Sequence, residues 1–268
     1  MKEQFIIPIR LSFVIMILSS IASIGGLFFQ ELYNDNTLGQ TALIGNDIIT
    51  LFIAVPLMAI SLYLFLKGSN RGFLIWMGTL WYMLYNYMFY LYGVSFNEFF
   101  LIYTALFALS GYAFVLGLIK INVSEISKSF NYTKWMRVVS GFLLFFGILL
   151  GGIEIAMSMS FVFNGEIPQA IKQLDHHTGI IFATDLSILV PVLIVGGILL
   201  WKAKPWGFIL SSIAIIKASA YGLALIVATE LVYRSIGIKD ALMPLWIFLT
   251  IGCWICCFIL FRNIKEIE

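Results

Sequence analysis

Three ionisable side chains sit inside apolar runs: Glu154 in "GGIEIAMSMS", Asp185 in "FATDLSILV" and Lys217 in "AIIKASAYG". A charge at hydrocarbon depth costs several kcal/mol unless it is paired, hydrated or neutralised, so such a residue marks a ligand site, a proton path or a pair that locks helices. Two carboxyls and one ammonium can hold a small ionic solute, relay a proton or close on one another. At about 1.5 Å per residue from the outer end of each run, Asp185 lies roughly 8 Å deep, Glu154 roughly 13 Å and Lys217 roughly 18 Å. These depths predict a direct Glu154–Lys217 pair with Asp185 above it, in a polar pocket that opens outward and has Lys217 at its floor.

Aromatic and amide groups add to this set. The run "FLIWMGTLWYMLYNYMFYLYG" carries Tyr82, Tyr85 and Asn86 well inside its ends. Tyr90 and Tyr92 sit near the end, where tyrosine serves as an interfacial anchor. At depth, Tyr82, Tyr85 and Asn86 offer hydrogen bonds and ring faces to a planar or cationic ligand. Tyr221, one turn from Lys217, belongs with them. Asp175, His176 and His177 follow in an outer loop, where a metal site built with Asp185 or Glu154 is the alternative to a plain exposed pair. No HExxH pattern occurs. Cys253, Cys256 and Cys257 lie within an apolar run and are read as small hydrophobes.

The elements that position these groups are helices in a bilayer. Of 268 residues, 61% are hydrophobic and 11% charged, and the mean hydropathy is +1.00. That composition excludes an ordinary globular domain. Eight apolar runs of membrane-spanning length can be read, at about 8–30, 46–66, 73–92, 99–119, 138–163, 180–201, 207–229 and 244–262. Lipid offers the backbone no partners, so each run forms a helix despite its β-branched content. The first run, preceded by Lys2, is read as a membrane helix and not as a cleaved leader. A net charge of +2 implies no nucleic-acid partner.

Lysine and arginine collect in alternate loops, with Lys67, Arg71, Lys120, Lys128, Lys134, Arg137, Lys202 and Lys204 on one side and only Lys172, Arg234 and Lys239 on the other. The positive-inside rule then puts both termini in the cytoplasm and the chain in the cell membrane as a multi-pass protein.

"VPLMAISLYLFLKGSNRGFLIW" from Val55 aligns without a gap on "VPVLIVGGILLWKAKPWGFILS" from Val190, an offset of 135 that matches Pro56 with Pro191, Lys67 with Lys202 and Gly72 with Gly207. The expectation is an all-α membrane protein of two tandem parallel four-helix repeats, 1–120 and 138–268, joined by a cytoplasmic linker at 121–137. Under this offset Lys217 corresponds to Tyr82, Tyr221 to Asn86 and Asp185 to Thr50, so only the second repeat carries intramembrane charge. Ala214, Ala218 and Gly222, with Ala220, Ala224 and Ala228, recur every four residues and make the seventh run an interior helix.

Three functions follow from this pattern. The leading one is a transporter or solute-binding protein with a site between the halves for a small polar or ionic solute, as in proteins built from parallel repeats. The second is an intramembrane enzyme using carboxylate or metal chemistry, and the third a non-catalytic accessory or sensor subunit. No coupling-ion motif is present, and the sequence leaves cofactor and protein partner unassigned. The lipid bilayer is its one assured partner.

Overall fold

The apolar runs become helices, and the computed structural model describes residues 3–29, 31–175 and 178–265. A short 3₁₀ turn at Glu3–Phe5 leads into α1 (Ile6–Phe28). Next, α2 (Thr37–Ile49) passes through a π-helical turn at Thr50–Ala54 into α3 (Val55–Leu66). Then come α4 (Asn70–Gly93), α5 (Phe100–Ile119), the short α6 (Val123–Ser129) and α7 (Lys134–Asn164). After α8 (Gln169–Gln173), α9 (Ile180–Thr184) passes through a second π-helical turn, Asp185–Leu189, into α10 (Val190–Trp201). The fold ends with α11 (Pro205–Ile236) and α12 (Met243–Arg262).

Seven of these stretches are long and apolar enough to cross a membrane: Glu3–Phe28, Thr37–Leu66, Phe100–Ile119, Lys134–Asn164, Ile180–Trp201, Pro205–Ile236 and Met243–Arg262. The chain is an all-helical, multi-pass membrane protein. The run expected at 73–92 is also a long helix, α4, but its tyrosines and tryptophans keep it out of that set. The reason is its position: 15 of its 24 residues are buried in protein, so little of its surface needs to be lipid-like. Large apolar side chains on the other helices, among them Phe52, Leu101, Ile148, Val162 and Phe258, point outward. An apolar exterior of this extent belongs against hydrocarbon.

At the centre, α4 packs against α11. The two approach closely because Gly78 has no side chain; a Cβ there would stand 2.5 Å from Ile216 Cβ. On another face of α11 lies α2, where a Cβ on Gly45 would come within 2.5 Å of Ala228 Cα. At Ala228 the small-residue stripe of α11 thus admits α2, as its four-residue spacing leads one to expect. Around this pair, α3, α5 and α1 pack on the α4 side, and α10, α12 and α7 on the α11 side.

The two π-helical turns begin at Thr50 and Asp185, and α3 and α10, then α4 and α11, begin at the same offset of 135. Pro56 and Pro191 each occupy the second position of the helix after the π turn. The tight turns that follow also share their bonding. Lys67 N donates to Tyr63 O and Lys202 N to Ile198 O, both at 3.1 Å, while Ser69 N reaches Leu64 O and Lys204 N reaches Leu199 O. Both turns use a left-handed residue, Gly68 at φ 96° and Ala203 at φ 51°.

The lysine-rich end of the bundle is stitched together. Arg71 Nη2 donates to Ile264 O at 2.6 Å, Asn131 N to Asn263 O and Lys265 N to Ser129 O, both at 2.8 Å, and Lys120 Nζ donates to Gln4 O. At the lysine-poor end, Asn36 caps α2 by accepting from Gly39 N at 2.9 Å. Its amide also donates to Gln173 O at 2.8 Å, which ties α2 to α8.

Candidate functional site

A cavity of about 550 Å³ extends from the lysine-poor end into the bundle, between α2, α7, α9, α11 and α12. Asp35, Gln169, Gln173 and Asp240 stand at its mouth, and Glu154, Asp185, Lys217, Tyr221 and Cys253 at its inner part. Between them the wall is mainly apolar, with Leu43, Phe146, Leu150, Ile153, Met157 and Leu225, and carries Asn46, Thr229 and Thr250 as polar members. All three charges singled out in the sequence therefore line one cavity, brought there by α7, the π turn after α9, and α11.

Lys217 is fully buried. Its Nζ lies 3.3 Å from the centre of the Tyr85 ring and 4.6 Å from that of Tyr221. The two rings meet edge to face with centroids 4.8 Å apart, so the ammonium sits in a two-sided aromatic cradle whose electron-rich faces attract it. The Tyr85 hydroxyl donates to Asp185 Oδ1 at 2.7 Å. One tyrosine thus links the cation and the carboxylate. It belongs to α4 while its partners belong to α11 and to the π turn, so the cluster straddles the central helix pair.

The expected Glu154–Lys217 pair is not formed. Among the described residues, Lys217 Nζ has no hydrogen-bond partner and neither has Glu154 Oε2. Aromatic faces occupy the space around Nζ that the depth argument gave to a carboxylate. Glu154 faces Asp185 instead, within reach of a hydrogen bond should either carboxyl carry a proton.

Tyr82 and Asn86 are placed elsewhere. Both are buried, and they turn toward Thr50: the Tyr82 and Thr50 hydroxyls are 2.9 Å apart, and Asn86 Nδ2 lies 3.5 Å from Thr50 Oγ1. Neither lines the cavity. His176 and His177 lie outside the described residues, and among the described residues no group of three His, Cys, Asp or Glu side chains is placed to hold a metal ion. The three cysteines are free thiols.

Sequence reasoning also missed a fourth intramembrane charge. Asp47 falls at the outer edge of the run expected at 46–66, but α2 begins at Thr37 and carries Asp47 into the interior, where it is 2% exposed. The signal was available in Asn36, an N-cap residue ten positions ahead of the apolar run. Tyr33 donates to Asp47 Oδ2, and Tyr90 to Oδ1 at 3.1 Å. Gly26 packs against the same carboxylate; a Cβ there would overlap Asp47 Oδ2. Tyr33 lies in the connection before α2, and burial pushes its hydroxyl well above the usual phenol range, so it stays a donor. Charge inside the bundle is therefore not confined to the second half of the chain.

No protein-family model matches the chain, and neither a curated protein nor a solved structure is similar to it.

Proposed function

We propose that this polytopic membrane protein is a transporter or solute-binding protein whose site is the cavity above Lys217. The observation that carries the reading is a pair of unsatisfied groups. Glu154 and Lys217 both line the cavity, and among the described residues Glu154 Oε2 and Lys217 Nζ are buried without a hydrogen-bond partner. Buried polar atoms are satisfied in the great majority of cases, and an exception calls for a partner. A solute that brings one donor and one acceptor supplies it. A purely structural lock would have paired the lysine with a carboxylate and filled the space beside it.

In this reading the protein has eight spans, with α4 as the third, arranged as two tandem four-helix halves over 1–120 and 138–268 with a linker at 121–137. The shared offset of π turns, helix starts and turn hydrogen bonds supports that division. The loop charge asymmetry supports cytoplasmic termini in the cell membrane, so that the cavity opens to the outside. The site then lies where the halves meet, as in transporters built from parallel repeats. Asp185, Tyr85 and Tyr221 hold Lys217 in place. Tyr82 and Asn86, with Thr50, form the corresponding uncharged polar cluster of the first half.

Cysteine accessibility tests the reading. In a background with Cys253, Cys256 and Cys257 replaced by Ala, Leu225→Cys should react with a membrane-impermeant methanethiosulfonate added to the lysine-poor side of sealed vesicles. Ile148→Cys, on the outward face, should not. An unreactive Leu225→Cys beside a reactive loop control, Glu166→Cys, would mean a sealed interior and a structural role for the charges.

A further inference from the structure

Resting on the solute-site reading, we infer that the cavity takes a single-chain amphiphile whose head carries an ammonium next to a hydroxyl, such as a long-chain amino alcohol. Three features of the cavity lead to this chemistry.

The first is the wall. Above the charged floor, Leu43, Phe146, Leu150, Ile153, Met157 and Leu225 present hydrocarbon. Asn46, Thr229 and Thr250 are the wall's polar members, but a sugar filling this space would still leave most of its hydroxyls against hydrocarbon, at a cost of a few kcal/mol for each. An alkyl chain suits these walls. Leu225 lies eight residues above Lys217 on α11, about 12 Å along the axis, and the volume of about 550 Å³ falls within the roughly 300–1,000 Å³ of pockets that enclose drug-sized molecules. A tail of about a dozen carbons fits within these limits.

The second is the charge count at the floor. Glu154 and Asp185 face each other within hydrogen-bond reach, so the floor gathers two carboxyls against one ammonium, and Asp185 already accepts from Tyr85. A head bearing one positive charge lets both carboxyls ionise beside a charged lysine with no net charge, whereas a fatty acid would add a third carboxyl to the cluster, which low-dielectric surroundings penalise strongly. The ammonium belongs at Glu154 Oε2, the acceptor that lacks a donor.

The third is the lysine. Its Nζ is held by ring faces and has N–H groups without an acceptor. A neutral hydroxyl beside the ligand's ammonium accepts from Lys217 without adding negative charge. A plain alkylamine satisfies Glu154 and leaves Lys217 as it is.

Protection of Leu225→Cys is the test, in the cysteine-free background and in nanodiscs, with each compound below its micelle-forming concentration. The probes are 2-aminododecan-1-ol, dodecan-1-ol, dodecanoate and 2-aminopropan-1-ol. The expected result is at least tenfold slower modification with 2-aminododecan-1-ol and less than twofold slowing with the others, while Glu166→Cys is unaffected throughout. Glu154→Gln should abolish the protection. Equal protection by dodecan-1-ol or dodecanoate overturns the head-group assignment, and protection by 2-aminopropan-1-ol alone overturns the amphiphile. In both cases the solute site itself stands. A Leu225→Cys that fails to react without any compound overturns the inference and the solute-site reading together.

Discussion

Lys217 Nζ stands 3.3 Å above the centre of the Tyr85 ring. The face of that ring takes the place of a carboxylate, and its hydroxyl passes the contact on to Asp185 at 2.7 Å. A buried cation and a buried anion are thus joined through one neutral side chain from a third helix.

Removing the two functions of Tyr85 separately should give two distinct losses. Tyr85→Phe keeps the ring and deletes a hydrogen bond to a charged group, which should lower unfolding stability by about 1.5–3 kcal/mol. Tyr85→Leu also removes the ring under the ammonium and should cost about 2 kcal/mol more. Chemical denaturation in detergent micelles measures both. Equal losses would show that the ring contributes nothing.

The Asp47 cluster should behave as a unit. Asp47→Asn places an amide donor opposite one of two tyrosine hydroxyls and should cost about 1–3 kcal/mol. Tyr33→Phe added to that variant should cost clearly less than Tyr33→Phe in the natural protein, because the two residues share one hydrogen bond. Additive losses in a double-mutant cycle would refute the coupling.

The two matched turns should respond in opposite senses to exchange of their left-handed residues. Ala203, at φ 51°, bears a strain that glycine does not, so Ala203→Gly should raise stability by up to about 1 kcal/mol. Gly68→Ala should lower it by about 1–2 kcal/mol. Nothing lies within 4 Å of a Cβ at Gly68, so that loss is a backbone effect alone. Melting temperatures of the two variants, read side by side, check the signs.

Much of the architecture was legible because lipid makes the sequence simple. The run expected at 180–201 is the helical stretch Ile180–Trp201, and the run at 244–262 differs from α12 by one residue at its start. Apolar length decides such elements. The start of α2 was not legible this way, since "NTLGQTALIGND" is too polar to read as a span, and the helix depends on the Asn36 cap and on packing against α11. The site shows the same division. Burial depth brought Glu154, Asp185 and Lys217 to one region, but depth carries no azimuth. Which face of α4 meets α11 is set by Gly78 against Ile216. That contact selects Tyr85 for the lysine and leaves Tyr82 and Asn86 to Thr50.

The stitching at the lysine-rich end has a bearing on how the chain is made. Arg71, at the start of α4, hydrogen-bonds to the carbonyl of Ile264, 193 residues later, and the connection around Ser129 and Asn131 is pinned by Asn263 and Lys265. During synthesis, four long helices and the connection after them leave the ribosome well before these partners exist. The early half must therefore wait in the bilayer with that edge unfastened until the segment after α12 is made.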